Sequence, residues 1–266
     1  MNLSTDFYRF WLSRNFLRLS DLMFYIYFTW IIIDKYDSVF LVSIIPSLSL
    51  LGYFIIAIPE GYLLDRLNRT YVIFGSGLLS IFVYVILIFN SSLLAIYFVD
   101  LLASVLSLMS TDAFYAYVKD TINSEDLPKA ISYTTIGRAS SEIIGSLLGG
   151  ISAMFFPSYF PWIIISISCA SLITAIPGKS NRKTTATTYG YSSIWKVIRA
   201  IMPLLFLLTT LNGLFVSIQV LSSGLFHIIL GSTALLYTFF ILGFSVGTLI
   251  GGIIARKLGD TLINSV

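Results

Sequence analysis

Eight runs of about 20 predominantly apolar residues follow one another along this 266-residue chain, with short polar breaks between them. They lie near 10–33, 39–60, 71–89, 93–118, 131–155, 161–177, 198–221 and 233–255. A helix needs about 20 residues to span a bilayer, whereas the strands of a membrane barrel alternate over about 10. With 57% hydrophobic and 11% charged residues, the chain is predicted to be an all-α, polytopic membrane protein.

The distribution of basic residues predicts the orientation. With the N-terminus in the cytoplasm, the loops on the outer side contain only Lys35, and the remaining loop lysines and arginines lie on the cytoplasmic side. Both termini are then cytoplasmic, in a multi-pass protein of the cell membrane. His227, the single histidine, falls in an outer segment and is expected to be an interface residue rather than a ligand.

A polar, basic stretch divides the chain. Residues 178–197 begin "GKSNRKTTATTYGYSS" and carry no apolar periodicity, which is typical of a cytoplasmic linker. The predicted domains are therefore a six-helix N-terminal bundle at 1–177 and a partial C-terminal bundle of two helices at 198–266.

Several ionisable residues fall inside the predicted spans. Asp21 and Glu142 each lie about 16 Å along their helices, close to mid-depth, and Asp100 lies about 10 Å below the outer end of the fourth span. Arg18 precedes Asp21 by three residues and Arg138 precedes Glu142 by four, so each pair can share a helix face. Two interpretations stay open: static salt bridges, or carboxylates that exchange arginine for a proton and so couple transport to a proton gradient.

Small residues recur at every fourth position of the fifth and eighth spans. Such stripes let another backbone approach closely, and two interpretations stay open: packing within each bundle, or one seam shared by the two helices. The stripes consist of Gly137, Ser141, Gly145 and Gly149, and of Gly243, Gly247 and Gly251.

Two polar segments match each other at an offset of 191 residues. "GYLLDRLNRT" at 61–70 follows the second span, and "GGIIARKLGD" at 251–260 follows the eighth. The pairs Gly61/Gly252, Arg66/Lys257 and Leu67/Leu258 agree, although Arg256 stands where Asp65 does. The repeat indicates a duplicated six-helix unit. Asp65 is expected to cap the third helix, since its carboxylate can accept from free backbone amides.

The first of these segments resembles the loop motif of the major facilitator superfamily, Gly-x-Leu-x-Asp-Arg-x-Gly-Arg, through Gly61, Leu63, Asp65, Arg66 and Arg69. The segment "SEIIGSLLGG" at 141–150 is similar to the antiporter motif of that family's fifth helix. The stretch 113–132 and the acid-bearing first helix look like the drug- and macrolide-efflux branch.

The resemblance implies a secondary transporter that expels small lipophilic molecules by proton antiport, with the substrate bound between two halves. It also implies that Asp65 latches the halves and that the chain stops after the eighth of twelve helices. A second chain supplying the missing helices would then be a partner, besides lipid and a small-molecule substrate. The alternative is a membrane scaffold or remnant that does not transport. No motif indicates an enzyme, a cofactor, a metal site or a nucleic-acid partner.

Overall fold

The computed structural model describes residues 3–177 and 191–263, and within these ranges the chain forms eight α-helices and no strand. Their bounds are α1 Thr5–Tyr36, α2 Val39–Arg66, α3 Arg69–Phe89, α4 Leu93–Thr121, α5 Leu127–Phe155, α6 Phe160–Thr174, α7 Tyr191–Gly224 and α8 Ala234–Ile263. A short 3-10 turn, Pro157–Tyr159, precedes α6, and a π-helical segment, Leu225–Ile229, extends α7. The all-α prediction is confirmed, and each apolar run overlaps one helix, although α2, α7 and α8 extend six to eight residues beyond the predicted runs at one end.

Six of the described helices are long and apolar enough to cross a membrane: α1, α2, α3, α4, α6 with its 3-10 turn, and α7. Helix α5 is less apolar because it contains Arg138, Glu142 and many small polar residues. The apolar part of α8, Ala234–Gly247, is shorter. The chain is thus a polytopic membrane protein.

Helix α1 is the centre of the molecule. In its most apolar stretch 67% of the residues are buried, compared with 6% in α7. It packs most extensively against α5, then α6 and α4, while α3 packs on α4 and α6, and α2 packs on α4. Helix α8 packs against α5, and α7 touches α2 and α1. The last two helices therefore pack on different parts of the first six, α8 on α5 and α7 on α2 and α1.

Polar side chains fix where the first four helices begin. Ser4, Ser38 and Ser92 each accept from a backbone amide three residues later, at 3.2, 3.4 and 3.3 Å. Such caps satisfy amides that the helix leaves free. Helix α7 starts at Tyr191, so residues 191–197 of the expected linker are helical, and 178–190 lie outside the described residues.

The small-residue stripe of α5 faces α1. A Cβ atom at Gly145 would lie 2.8 Å from the carbonyl oxygen of Leu19, and one at Gly149 would lie 2.8 Å from that of Met23. The Ser141 hydroxyl donates to the Asn15 carbonyl at 3.0 Å, and Gly137 lies against the Asn15 side chain. The stripe therefore brings the two backbones together, because no side chain intervenes.

Of the two interpretations of the stripes, a seam shared by α5 and α8 is not formed at Gly243 or Gly247. No atom lies within 4 Å of a Cβ built at Gly243 or Gly247, and the side-chain environment of Gly251 lies outside the described part of α8. Helix α8 instead contacts α5 through Thr238, which lies against Gly150. Gly150 is one residue beyond the stripe and so points to a different face of α5.

Helix α2 contains two prolines, Pro46 and Pro59. A proline inside a helix lacks the amide that would bond the carbonyl four residues earlier, which permits a bend. Between them, Gly52 lets α4 approach, since a Cβ there would lie 2.9 Å from the side chain of Val105.

Candidate functional site

A polar cavity of about 250 Å³ lies between α1, α2, α4 and α7, and we call it the central cavity. Its lining includes the acids Asp21 and Asp100 and the tyrosines Tyr25 and Tyr53. The full lining is Arg18, Asp21, Leu22, Tyr25, Pro46, Ser49, Leu50, Tyr53, Asp100, Val216 and Gln219. Two acids from different helices of the first bundle thus line one cavity, to which α7 contributes Val216 and Gln219.

Serine hydroxyls lie beside the two acids of the central cavity. Ser49 of α2 donates to Asp100 Oδ2 at 3.0 Å, and Ser107 of α4 lies near Asp21. Asp100 is only 4% exposed. Within the described residues neither acid makes a direct ion pair, so serine donors compensate only part of the cost of burying them.

A second cavity of about 310 Å³, the α5 cavity, lies between α1, α5, α7 and α8. Arg138 and Glu142 line it on one side, and Asn212 and Gln219 of α7 line it on the other. It shares Leu22, Tyr25 and Gln219 with the central cavity, so the two are neighbours separated by a few side chains of α1 and α7.

Glu142 lies between two arginines. Arg18 Nη2 donates to Glu142 Oε1 at 2.8 Å, and Arg138 Nε donates to the same oxygen at 3.0 Å. The Arg138–Glu142 pair agrees with its spacing of four residues. The expected Arg18–Asp21 pair is wrong, because Arg18 reaches across to α5 instead. The glycines of α5 bring that helix close enough for a charged hydrogen bond, which is stronger than a looser pair along α1.

The sequence analysis did not identify Arg14, a buried charged residue, as a candidate site residue. Arg14 is 1% exposed; its Nη2 donates to the Tyr115 hydroxyl at 3.2 Å, and its guanidinium lies 4.9 Å from the Tyr115 ring centre. Its Nε and Nη1 have no hydrogen-bond partner in the structure. An arginine inside an apolar run is itself the sequence signal that identifies such a residue.

The polar segment 61–70 is arranged differently from the expectation. Gly61 and Asp65 lie within α2, which continues to Arg66, so Asp65 does not cap α3. Asn68 is the cap, since its Oδ1 accepts from the Thr70 amide at 3.2 Å. The reason is positional: Asn68 directly precedes the first residue of α3, whereas Asp65 is four residues before it.

The arginines of this segment contact their own bundle. Arg69 Nε lies 3.5 Å from Asp120 Oδ2 at the end of α4, and the Arg66 guanidinium lies 4.0 Å from the Tyr62 ring centre. The second copy of the segment, 251–260, lies beyond the described side chains.

The geometry assembles polar groups where a small molecule could bind, at the junction of the first bundle with α7 and α8. Among the described residues no three histidine, cysteine or acidic side chains are close enough to hold a metal ion. The sequence signalled Asp21, Asp100, Glu142, Arg18 and Arg138. Their neighbours Ser49, Ser107, Tyr53 and Gln219 were not signalled, because serine, tyrosine and glutamine are common in membrane helices.

Comparison with known proteins gives a family. No curated protein matches the sequence. The family model described as Major Facilitator Superfamily matches residues 10–265, which is nearly the whole chain. The membrane helices, the cavity between the first bundle and the following helices, and this match lead to one conclusion: the chain belongs to the Major Facilitator Superfamily of membrane transporters.

Proposed function

We propose that the protein is a secondary active transporter that expels small lipophilic molecules, preferentially cations, in exchange for protons. The observation that carries the proposal is that the acids Asp21 and Asp100 line one cavity and that neither has a direct ion pair among the described residues. Intramembrane acids are costly to bury and mark ion or substrate pathways in membrane proteins.

Charge is the first argument. The two cavities contain three acids and two arginines, and Glu142 is already paired with both arginines. The remaining negative charge lies on Asp21 and Asp100. In a medium of low dielectric constant, two neighbouring carboxylates repel, and either a proton or a cationic group of a substrate relieves that repulsion. If the two occupants exclude each other, binding of one releases the other, which is the requirement for antiport.

Shape and lining are the second argument. Ligand pockets in proteins have volumes of about 300–1,000 Å³. The α5 cavity of about 310 Å³ is at the lower end of that range, and the central cavity of about 250 Å³ is just below it. Tyr25 and Tyr53 provide aromatic surfaces that attract cations. The lining therefore fits a small, partly aromatic or aliphatic amine better than an anion.

The direction of transport is supported by the resemblance of the first helix and of 113–132 to the drug- and macrolide-efflux branch. Because family members bind substrate between helices of two halves, the contributions of Val216 and Gln219 from α7 to the central cavity agree with this arrangement.

The test is flux into liposomes that contain the purified chain, with a pH difference as the only driving force. We expect a lipophilic amine to accumulate and a neutral analogue of the same size to accumulate less. Asp100→Asn should reduce pH-driven flux to the background of empty liposomes. The control Glu125→Gln removes an exposed acid in the α4–α5 turn and should leave flux unchanged.

Undiminished pH-driven flux in both Asp100→Asn and Asp21→Asn would contradict proton coupling through the central cavity. Equal transport of cationic, neutral and anionic analogues would contradict the proposed preference. Flux that is absent from the parent chain itself would contradict transport and favour the non-transporting interpretation.

A further inference from the structure

His227 lies at the end of the molecule where α1 ends and α7 ends. The π-helical segment Leu225–Ile229 places its ring edge-on to Trp30, with ring centres 5.3 Å apart. Asp34 Oδ1 lies 3.8 Å from Nδ1, and Asp37 Oδ1 lies 3.4 Å from Nε2. A carboxylate therefore faces each nitrogen of the ring.

Only the protonated ring can interact favourably with both carboxylates. A neutral imidazole carries one N–H, so one of the two carboxylates would face a lone pair. An imidazolium donates from both nitrogens and can attract both carboxylates. A single metal ion does not fit, because the two acids lie on opposite sides of the ring and could not join the same coordination shell. The ligand of this site is therefore a proton.

The surroundings add little competing charge. Lys35 precedes the corner between α1 and α2, and its ammonium lies over the Tyr36 ring, 5.4 Å from the ring centre. The first turns of α2 and α8 contain no charged residue, and the one titratable group they bring near is the phenol of Tyr237, whose ring is next to Trp30. His227 is 21% exposed, so protons from the aqueous phase can reach it.

The site joins two corners of the chain. Asp34 and Asp37 belong to the corner between α1 and α2, and Asp37 adopts a left-handed conformation with φ of 47° that ends α1. His227 belongs to the corner between α7 and α8. The same corners also touch where Gly224 lies against Val39. Closing or opening this end of the molecule must make or break these contacts.

We infer that His227, Asp34 and Asp37 form a proton-binding site, distinct from the central cavity, that holds the two corners together when the ring is protonated. The charge distribution of the loops places this end of the molecule outside the cell. An acidic exterior then favours the closed corners, and the contact weakens when the ring loses its proton.

The size of the effect is modest because the acids are exposed, Asp34 by 58% and Asp37 by 75%. Two such ion pairs shift the ratio of closed to open corners by about threefold to tenfold. That change is enough to alter the proportion of molecules with closed corners but not to hold all of them closed.

The test measures the separation of the corners without any substrate. Spin labels on cysteines at Phe40 and Leu230, both exposed, report the distance in a Cys169→Ser background. At about pH 5.5 we expect the shorter distance to be about threefold to tenfold more populated, relative to the longer one, than at about pH 8. His227→Gln and the double variant Asp34→Asn/Asp37→Asn should remove this pH dependence, and Glu125→Gln should retain it.

A pH dependence that survives in His227→Gln would overturn the inference and assign the effect to other acids, such as those of the central cavity. Equal distance distributions of the parent at both pH values would overturn it too. Since the chain has one histidine, ¹⁵N-histidine spectra give a second measurement. Both ring nitrogens should be protonated at about pH 5.5, and Asp34→Asn/Asp37→Asn should change both resonances; unchanged resonances would show that the acids do not contact the ring.

Discussion

Replacing Gly145 by alanine should separate α1 from α5 and lower the stability of the protein. The added Cβ would lie 2.8 Å from the carbonyl oxygen of Leu19 and 3.1 Å from the Leu22 Cβ. The oxygen belongs to the backbone of a central helix and cannot rotate away as the tip of a side chain can. One of the two helices must therefore move.

The magnitude follows from two opposing effects. Overfilling a close contact costs about 1–3 kcal/mol. Alanine also favours the helix over glycine by about 0.5–1 kcal/mol, which offsets part of that cost. We expect a net loss of about 1–2 kcal/mol. Near the unfolding midpoint each kcal/mol lowers the midpoint of a chain of this size by about 2–4 °C.

The assay is the apparent unfolding midpoint in detergent, followed by size-exclusion chromatography after heating at one fixed rate, because membrane proteins of this size commonly unfold irreversibly. The matched control is Gly243→Ala on α8, where the added Cβ meets no atom within 4 Å. Gly243→Ala should leave the midpoint unchanged or raise it slightly. If Gly145→Ala is as stable as Gly243→Ala, the small residues of α5 are not needed for the close approach of α1 and α5.

Three further predictions concern the charged cluster, the cap of α3 and the orientation. Glu142→Gln leaves Arg18 and Arg138 without their shared acid and should lower the stability by about 2 kcal/mol. Adding Arg138→Gln should recover part of this loss. Equal unfolding midpoints of the parent, the single variant and the double variant would contradict the cluster. Asn68→Ala should cost about 1 kcal/mol, measured in the same way, and no change would contradict the cap. On intact cells, a cysteine at Tyr36 should react with a membrane-impermeant maleimide and one within 178–190 should not; the reverse result would invert the orientation.

Much of the fold could be predicted from the sequence because it depends on local properties. The hydropathy of each run determines whether a helix can lie in a bilayer, and that property does not depend on what the helix packs against. Thus even α1, whose apolar run contains Arg14, Arg18 and Asp21, was located correctly. The ends of α2 and α7 were less accurate, because polar residues such as Asp65 or Ser192 are compatible with either a loop or a helix that extends past the membrane.

The partners of the polar residues could not be predicted in the same way. The spacing of Arg18 and Asp21 allows a pair along α1, but Arg18 bonds Glu142 on α5. That choice depends on how closely the two helices approach, and the approach in turn depends on which face of α5 carries its glycines. The proximity of Asp21 and Asp100 could not be predicted for the same reason, because it depends on how α1 is rotated relative to α4. Spacing along one helix contains no information about such rotations.

The proline in the first half of α2 has a mechanical consequence. Pro46 has no amide hydrogen, so the Val42 carbonyl lacks the bond that would resist bending at this point. Pro46 also lines the central cavity, one turn before Ser49, whose hydroxyl holds Asp100. The stiffness of α2 is therefore lowest beside the buried acids, while the joint between α1 and α5 is close-packed. A change in the charge of Asp100 can be accommodated by flexing α2 at Pro46, without sliding α1 over α5.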